Sequence, residues 1–227
     1  MSSIVFGKNQ FNVPMTLDLP TVMLVTGDKD SGKTFLFRTL IEAKKDGRIV
    51  VLTNKPEYYH GLGEKFLEIS KDAPEIRFLD RITIVDGRKL YEDDPEHILD
   101  DEIKIFDGTL QENDMVIVDE AYPFLQDEIN KFELQKTLED SWMKGVTFVI
   151  ATNREQLMID EAPILFEMSA YALILKQDKD TAVKAAEMFG GDRGKYEMLQ
   201  AFNLFEFGKG LFLRRTGEID FIQIGNE

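Results

Sequence analysis

Eight consecutive residues, Gly27-Asp28-Lys29-Asp30-Ser31-Gly32-Lys33-Thr34, decide more about this chain than any other stretch. They fit the pattern G-x-x-x-x-G-K-[ST] without a gap, directly behind the apolar run Val22-Met23-Leu24-Val25-Thr26. A short continuous apolar run belongs to a strand in a sheet buried on both faces. Glycines at both ends of the loop let the backbone curl until its N–H groups point at phosphate oxygens, and a helix starting at Lys33 adds the partial positive charge of its N-terminus. The pattern therefore specifies a strand–loop–helix unit, with Gly27 through Thr34 as a nucleotide-phosphate site. Lys33 is expected to reach the β- and γ-phosphates of ATP, and the Thr34 hydroxyl to take one place on Mg²⁺. Asp28 and Asp30 place two carboxylates in a loop built for anions; they are expected to point to solvent and to weaken nucleotide affinity without abolishing it.

A second apolar run, Met115-Val116-Ile117-Val118, closes on Asp119-Glu120. A buried strand ending in acid puts its carboxylate at the carboxyl edge of the sheet, where α/β proteins bind ligands. Asp119 is expected to hold the Mg²⁺ shell through water, and Glu120 to orient and deprotonate the water that attacks the γ-phosphate. The following run, Val146–Ala151, ends in Thr152-Asn153-Arg154. Beside the phosphate-loop strand, Asn153 would sense the γ-phosphate and position the water; its plainer role is to cap a helix. Arg154 is read as a sensor, a residue facing a neighbouring subunit, or an exposed loop cation.

Strands are expected at Ile4–Phe6, Val13–Leu17, Val22–Thr26, Ile49–Leu52, Ile82–Val85, Met115–Val118, Val146–Ala151 and Tyr171–Lys176. Helices are expected at Lys33–Lys45 (with Phe35, Leu36, Leu40 and Ile41 facing inward), Pro95–Phe106, Asp127–Met143, Thr181–Met188 and Gly194–Phe202. A hairpin, Leu211–Arg214 and Ile219–Ile224 around Thr216-Gly217, should end the chain. Such alternation implies an α/β fold with a mostly parallel sheet covered on both faces. Two strands between the phosphate loop and the acidic pair, a Glu directly after the Asp, and a polar residue ending the next strand match the RecA-like, additional-strand class of P-loop NTPases. No linker or repeat interrupts the pattern, so residues 1–227 are expected to form one domain. The absence of cysteine excludes disulfides, thiolate metal sites and Cys nucleophiles, and no signal peptide or membrane-length apolar run is visible. The net charge of −15 argues against a broad nucleic-acid surface, so any DNA contact must use a local basic cluster or a channel formed on assembly.

Phe6-Gly7-Lys8, Val13 through Leu19, the phosphate loop, Val149-Ile150-Ala151-Thr152-Asn153-Arg154, Ala172 through Gln177, Phe189-Gly190-Gly191 and Gly208 through Phe212 together resemble FtsK/HerA-type DNA-pumping ATPase domains over nearly the full length. Asn153 stands where that family usually has Gln. The length and lack of appended domains are most similar to the genome-packaging ATPases of tectiviruses. This resemblance implies a ring of six subunits, ATP at the interfaces, double-stranded DNA in a central channel, portal or vertex proteins of a capsid as partners, and residence in host cytoplasm and virion. It also implies an arginine supplied in trans, for which Arg81, Arg88, Arg154 and Arg193 are candidates.

Two other functions compete: a P-loop kinase acting on a small molecule, and a nucleotide-dependent switch or assembly factor with slow turnover. Tyr58-Tyr59-His60 is read first as a loop packing its aromatics on the domain, and alternatively as a stacking surface for adenine or DNA. Arg193-Gly194-Lys195 and Arg214-Arg215 are read mainly as solvated surface. Phe202, Phe205, Phe207, Phe212 and Trp142 are assigned to the core.

Overall fold

The computed structural model describes residues 2–62, 65–68, 80–88, 110–121, 125, 128–152, 163–177, 179–189 and 206–225. Their strands, in chain order, are β1 Ser2–Asn9, β2 Pro14–Leu19, β3 Val22–Thr26, β4 Ile49–Thr53, β5 Lys65–Glu68, β6 Ile82–Asp86, β7 Met115–Asp119, β8 Thr147–Thr152, β9 Tyr171–Leu175, β10 Lys209–Arg214 and β11 Ile219–Ile224. The α-helices among these residues are α1 Lys33–Ala43, α2 Glu128–Met143, α3 Pro163–Met168 and α4 Lys179–Met188, with a 3₁₀ turn at Pro56–Tyr59. None of these helices is long and apolar enough to cross a membrane.

All eleven strands form one sheet in the order β2-β1-β11-β10-β9-β3-β8-β7-β4-β6-β5. From β9 to β5 every neighbouring pair is parallel, while β9-β10-β11-β1-β2 is antiparallel throughout. The expected α/β class, the mostly parallel sheet and the C-terminal hairpin are all present. Among the described residues three strands, not two, lie between the phosphate loop and the acidic pair: β5 joins the outer edge beyond β6. Its four residues, Lys65 to Glu68, begin and end in charge, which gives too little apolar pattern to read as a strand. The helices expected at 95–106 and 194–202 lie outside the described residues.

Both faces of the central parallel strands are buried, and alternate residues divide between two cores. Met23, Val25, Val51 and Ile117 pack with Leu36, Phe37, Leu40 and Ile41 of α1. Leu24, Val50, Val116 and Ile150 face the other way, against Leu134 and Leu138 of α2 and Ala182 and Ala185 of α4. This two-sided burial explains the continuous apolar runs in the sequence.

Two expected core placements are overturned here. Trp142 is 58% exposed, because the inward stripe of α2 runs through Leu134, Leu138 and Ser141 and leaves the next position outside. Phe35 is 38% exposed, since the buried stripe of α1 is Lys33, Leu36, Phe37, Leu40 and Ile41. Its position is one residue off the i, i+3, i+4 repeat. Phe212 does lie in the core, edge-on to Phe6 at 5.1 Å between ring centroids and stacked on Tyr171 at 5.3 Å.

Candidate functional site

The strand β3 runs into the phosphate loop near the middle of the sheet, with β8 on one side and β9 on the other. Gly27 has φ 156° and Gly32 has φ 109°, and the left-handed Asp30 (φ 63°) completes the curl. Gly32 precedes α1 in a left-handed conformation and gives its first turn no side-chain cap. The N-terminus of a helix carries partial positive charge, and that of α1 opens directly from the loop. The loop is braced from the C-terminal side as well. Asp28 N–H donates to Lys176 O at 2.8 Å, and Gly208 N–H donates to Ser31 O at 3.1 Å. A Cβ at Gly32 would lie 2.9 Å from Gly208 N, so only glycine fits where loop and hairpin meet.

Lys33 is buried to 7% exposure, and its Nζ donates to the carbonyls of Gly27 and Asp28. Asp28, Lys29 and Asp30 are exposed, as expected for the two acids of the loop. The Ser31 hydroxyl is buried without a hydrogen-bond partner, which leaves a polar group unspent at the floor of the loop.

Asp119 ends β7 two strands away, in register with Thr53 of β4 and Ala151 of β8. Its Oδ2 accepts a 2.7 Å hydrogen bond from the Tyr59 hydroxyl and a 3.3 Å bond from Thr53 Oγ1. Burial raises the Asp119 carboxyl above its ordinary range and the Glu120 charge adds to this, while the two hydrogen bonds and the Lys33 charge act in the opposite direction. Burial also raises the Tyr59 phenol well above its ordinary value, reinforced by the Asp119 charge and hydrogen bond. Glu120 has φ 126°, a conformation that costs a non-glycine residue about 1–3 kcal/mol. Its Oε1 accepts a 2.6 Å hydrogen bond from Thr152 Oγ1.

Lys33, Thr34, Asp119 and Glu120 line one cleft of about 430 Å³, together with Tyr58 and Phe207. The Thr34 hydroxyl and the carboxylates of Asp119 and Glu120 put oxygen donors on one cleft, the donor type that suits a hard cation such as Mg²⁺. Lys29 to Thr34, Asp119 and Glu120, residues expected to hold phosphate, metal and water, thus line one cleft. Asn153 and Arg154 lie outside the described residues. β8 does pair with β3, Thr26 opposite Thr152, so the expected adjacency of those strands is present.

Sequence reasoning missed Tyr59, read as loop packing; it is fully buried with its hydroxyl on Asp119, while Tyr58 is 50% exposed. It also missed Thr152, which the strand-end position alone could have flagged. Phe207, assigned to the core, is 58% exposed at the cleft, because the Gly208 contact with the loop turns that segment outward. Phe202, Phe205 and Arg193 lie outside the described residues. Arg81 Nη1 donates to Lys44 O at 2.8 Å at the far end of α1, and Arg88 forks onto Asp86. Arg214 pairs with Asp220 and Arg215 bonds Phe166 O, so the basic pair of the hairpin ties the fold together.

Solved structures match this fold over almost the entire chain. VirB4 of Thermoanaerobacter pseudethanolicus is similar with a TM-score of 0.80 at 11% identity, covering 100% of this chain and 97% of that one. The chain shares its fold with this ATPase. The genome-packaging NTPase B204 of Sulfolobus turreted icosahedral virus 2, solved with AMP, is similar with a TM-score of 0.61 at 16% identity, over 91% and 98% of the two chains. Thermomonospora curvata EccC (ATPases 2 and 3), with a signal sequence peptide, gives 0.61 at 14% identity; this chain spans 40% of it. No protein-family model matches the sequence, and no curated protein matches it.

Proposed function

We propose that this chain hydrolyses ATP with Mg²⁺ and uses the cycle to translocate double-stranded DNA, as a ring-forming motor that packages a viral genome into a preformed capsid. The observation that carries the reading is the convergence of Lys33, Thr34, Asp119 and Glu120 on one cleft across β3-β8-β7. Gly27 to Thr34 cradle the phosphates with backbone N–H groups, and Lys33 moves from the loop carbonyls to the β- and γ-phosphates. Thr34 and Asp119 would hold Mg²⁺, which supplies charge neutralisation on the phosphates. Glu120, oriented by Thr152, takes the proton of the attacking water. Asn153 is assigned to γ-phosphate sensing, and Arg154 to sensing or to the neighbouring subunit.

The packaging role is supported by likeness to B204, a genome-packaging NTPase, and by the coverage of nearly all of that chain. A capsid vertex is the proposed partner, with host cytoplasm and virion as its locations. A slow nucleotide-dependent switch is the second reading, favoured by the engagement of Lys33 with its own loop.

ATP hydrolysis, with and without linear double-stranded DNA, tests the proposal on wild type and Glu120→Gln while light scattering reports mass. DNA-stimulated turnover from a ring-sized species, lost in Glu120→Gln, supports the motor. Slow turnover indifferent to DNA, from a monomer that binds ATP, favours the switch.

A further inference from the structure

The cleft lining extends beyond the groups that phosphate chemistry requires, to two aromatic rings beside the phosphate loop. Phe207 is 58% exposed and Phe35 is 38% exposed, with ring centroids 5.7 Å apart and planes inclined by 40°. Both line the same cleft as Lys33, Asp119 and Glu120. Neither ring is loosely held. Gly208, next to Phe207, donates to Ser31 O and accepts from Ile224 N–H at 2.8 Å. A Cβ at Gly225 would lie 3.0 Å from Phe35 Cζ, so the hairpin backbone packs closely on the Phe35 ring.

The sheet order fixes the polarity of a bound nucleotide. In β10-β9-β3-β8-β7 the phosphate loop leaves the central strand, the acids stand two strands away on one side, and Phe207 stands just before β10, two strands away on the other. With the γ-phosphate drawn toward Asp119 and Glu120, the nucleoside must run the opposite way, over the first turn of α1 where Phe35 follows Thr34. We infer that Phe207 and Phe35 form the stacking platform for the base, so that the site takes purine nucleoside triphosphates and reads the ring face in preference to the edge. Among the described residues Phe207 is the one contribution of the C-terminal hairpin region to the cleft lining, and it offers no hydrogen-bonding group to distinguish adenine from guanine. The inference rests on the phosphate-site reading proposed above and adds the position and chemistry of base recognition. Tyr58, the other exposed aromatic of the cleft, follows β4 on the acidic side and is excluded from this role by the same topology.

Calorimetric titration with ATP, GTP, CTP and inorganic tripolyphosphate, each with Mg²⁺, separates base from phosphate. Stacking of one base on an aromatic ring corresponds to a factor of about 10 or more in affinity. Wild type should bind ATP at least about 10-fold more tightly than tripolyphosphate, with GTP within about 3-fold of ATP and CTP weaker. Phe207→Ala and Phe207→Leu should collapse the ATP advantage while leaving tripolyphosphate affinity unchanged, and Phe207→Tyr should restore it. Tyr58→Ala should leave the ratio intact. An undiminished ratio in Phe207→Ala, its loss in Tyr58→Ala, or strong discrimination between ATP and GTP overturns the inference. Loss of both ligands in every Phe207 variant assigns the ring a structural role and overturns it too. Wild type that binds tripolyphosphate no less tightly than ATP sinks the base platform alone, whereas wild type that binds neither sinks the phosphate site with it.

Discussion

Thr152 Oγ1 donates a 2.6 Å hydrogen bond to Glu120 Oε1, linking the residue that ends β8 to the residue that follows β7. The link is a consequence of register. Asp119 pairs with Ala151, so Glu120 and Thr152 leave neighbouring strands side by side, and Ala121 N–H closes the crossing on Ala151 O at 2.7 Å. The positive φ of Glu120 is held by these contacts, one to its side chain and one just after it.

Thr152→Val keeps the shape of the strand end and removes the donor. A hydrogen bond to a charged group contributes about 1.5–3 kcal/mol, so losing the orientation of Glu120 should lower kcat about 10-fold or more. KM for ATP should stay within about 2-fold, because no phosphate contact is touched. Glu120→Gln should lower kcat by about 100-fold or more while preserving nucleotide binding. Steady-state kinetics on both variants check this; a Thr152→Val effect confined to KM would contradict a positioning role.

Tyr59 gives a pH-dependent prediction. Its phenol holds its proton more tightly in the folded protein than in the unfolded chain, where it ionises near 10.0. Above that pH the unfolded state has released a proton that the folded state keeps, so stability falls as pH rises, by up to about 1.4 kcal/mol per pH unit. Tyr59→Phe removes this slope and, at neutral pH, costs about 1.5 kcal/mol through the lost bond to Asp119. Urea melts of both proteins between pH 8 and pH 11 should therefore converge at the alkaline end. A parallel offset at every pH would show that the phenol does not titrate as its burial dictates.

Gly32→Ala tests the junction between loop and hairpin. The new methyl would sit 2.9 Å from Gly208 N and 3.0 Å from Gly208 Cα, on a backbone with φ 109°. Backbone cannot yield as a side-chain tip does, so the variant should lose about 2–3 kcal/mol of stability and most nucleotide affinity together. Thermal melts and ATP titration on the same preparation read both effects.

The sequence carried the parallel sheet and the phosphate loop because two-sided burial leaves unbroken apolar runs, and because a loop of fixed spacing has its geometry written in its glycines. The acidic edge was legible for the same reason: Asp119 and Glu120 close such a run. What sequence could not supply was lateral position. The Tyr59 role depends on the turn after β4 folding back over β7, a relation between residues sixty apart that no local pattern encodes. Phe35 and Phe207 look like core residues until the helical phase of α1 and the Gly208 contact turn them to the cleft. Trp142 misled for a related reason: a large aromatic on a weakly amphipathic helix favours neither face until the neighbouring layer is in place.

The last prediction lies at the opposite end of β7 and separates stability from chemistry. Asp114 is 2% exposed and sits where β4 and β7 both begin. It accepts from Arg48 N–H at 3.2 Å, Arg48 Nε at 3.1 Å, Arg48 Nη2 at 2.5 Å and Gln111 N–H at 2.8 Å, so its two oxygens serve backbone and side chain together. The Arg48 side chain is 28% exposed, so the charge left behind keeps some solvent, and the loss is that of the hydrogen bonds to the carboxylate, about 1.5–3 kcal/mol. Asp114→Ala should lower the denaturant midpoint accordingly. Because the phosphate loop and the acids lie at the carboxyl ends of the strands and Asp114 precedes the amino end of β7, kcat per folded molecule should remain near wild type. Activity measured below the melting range, normalised to the folded fraction by circular dichroism, checks this. A large fall in kcat without loss of stability would mean that the amino edge of β7 reaches the cleft chemistry by a route the packing does not show.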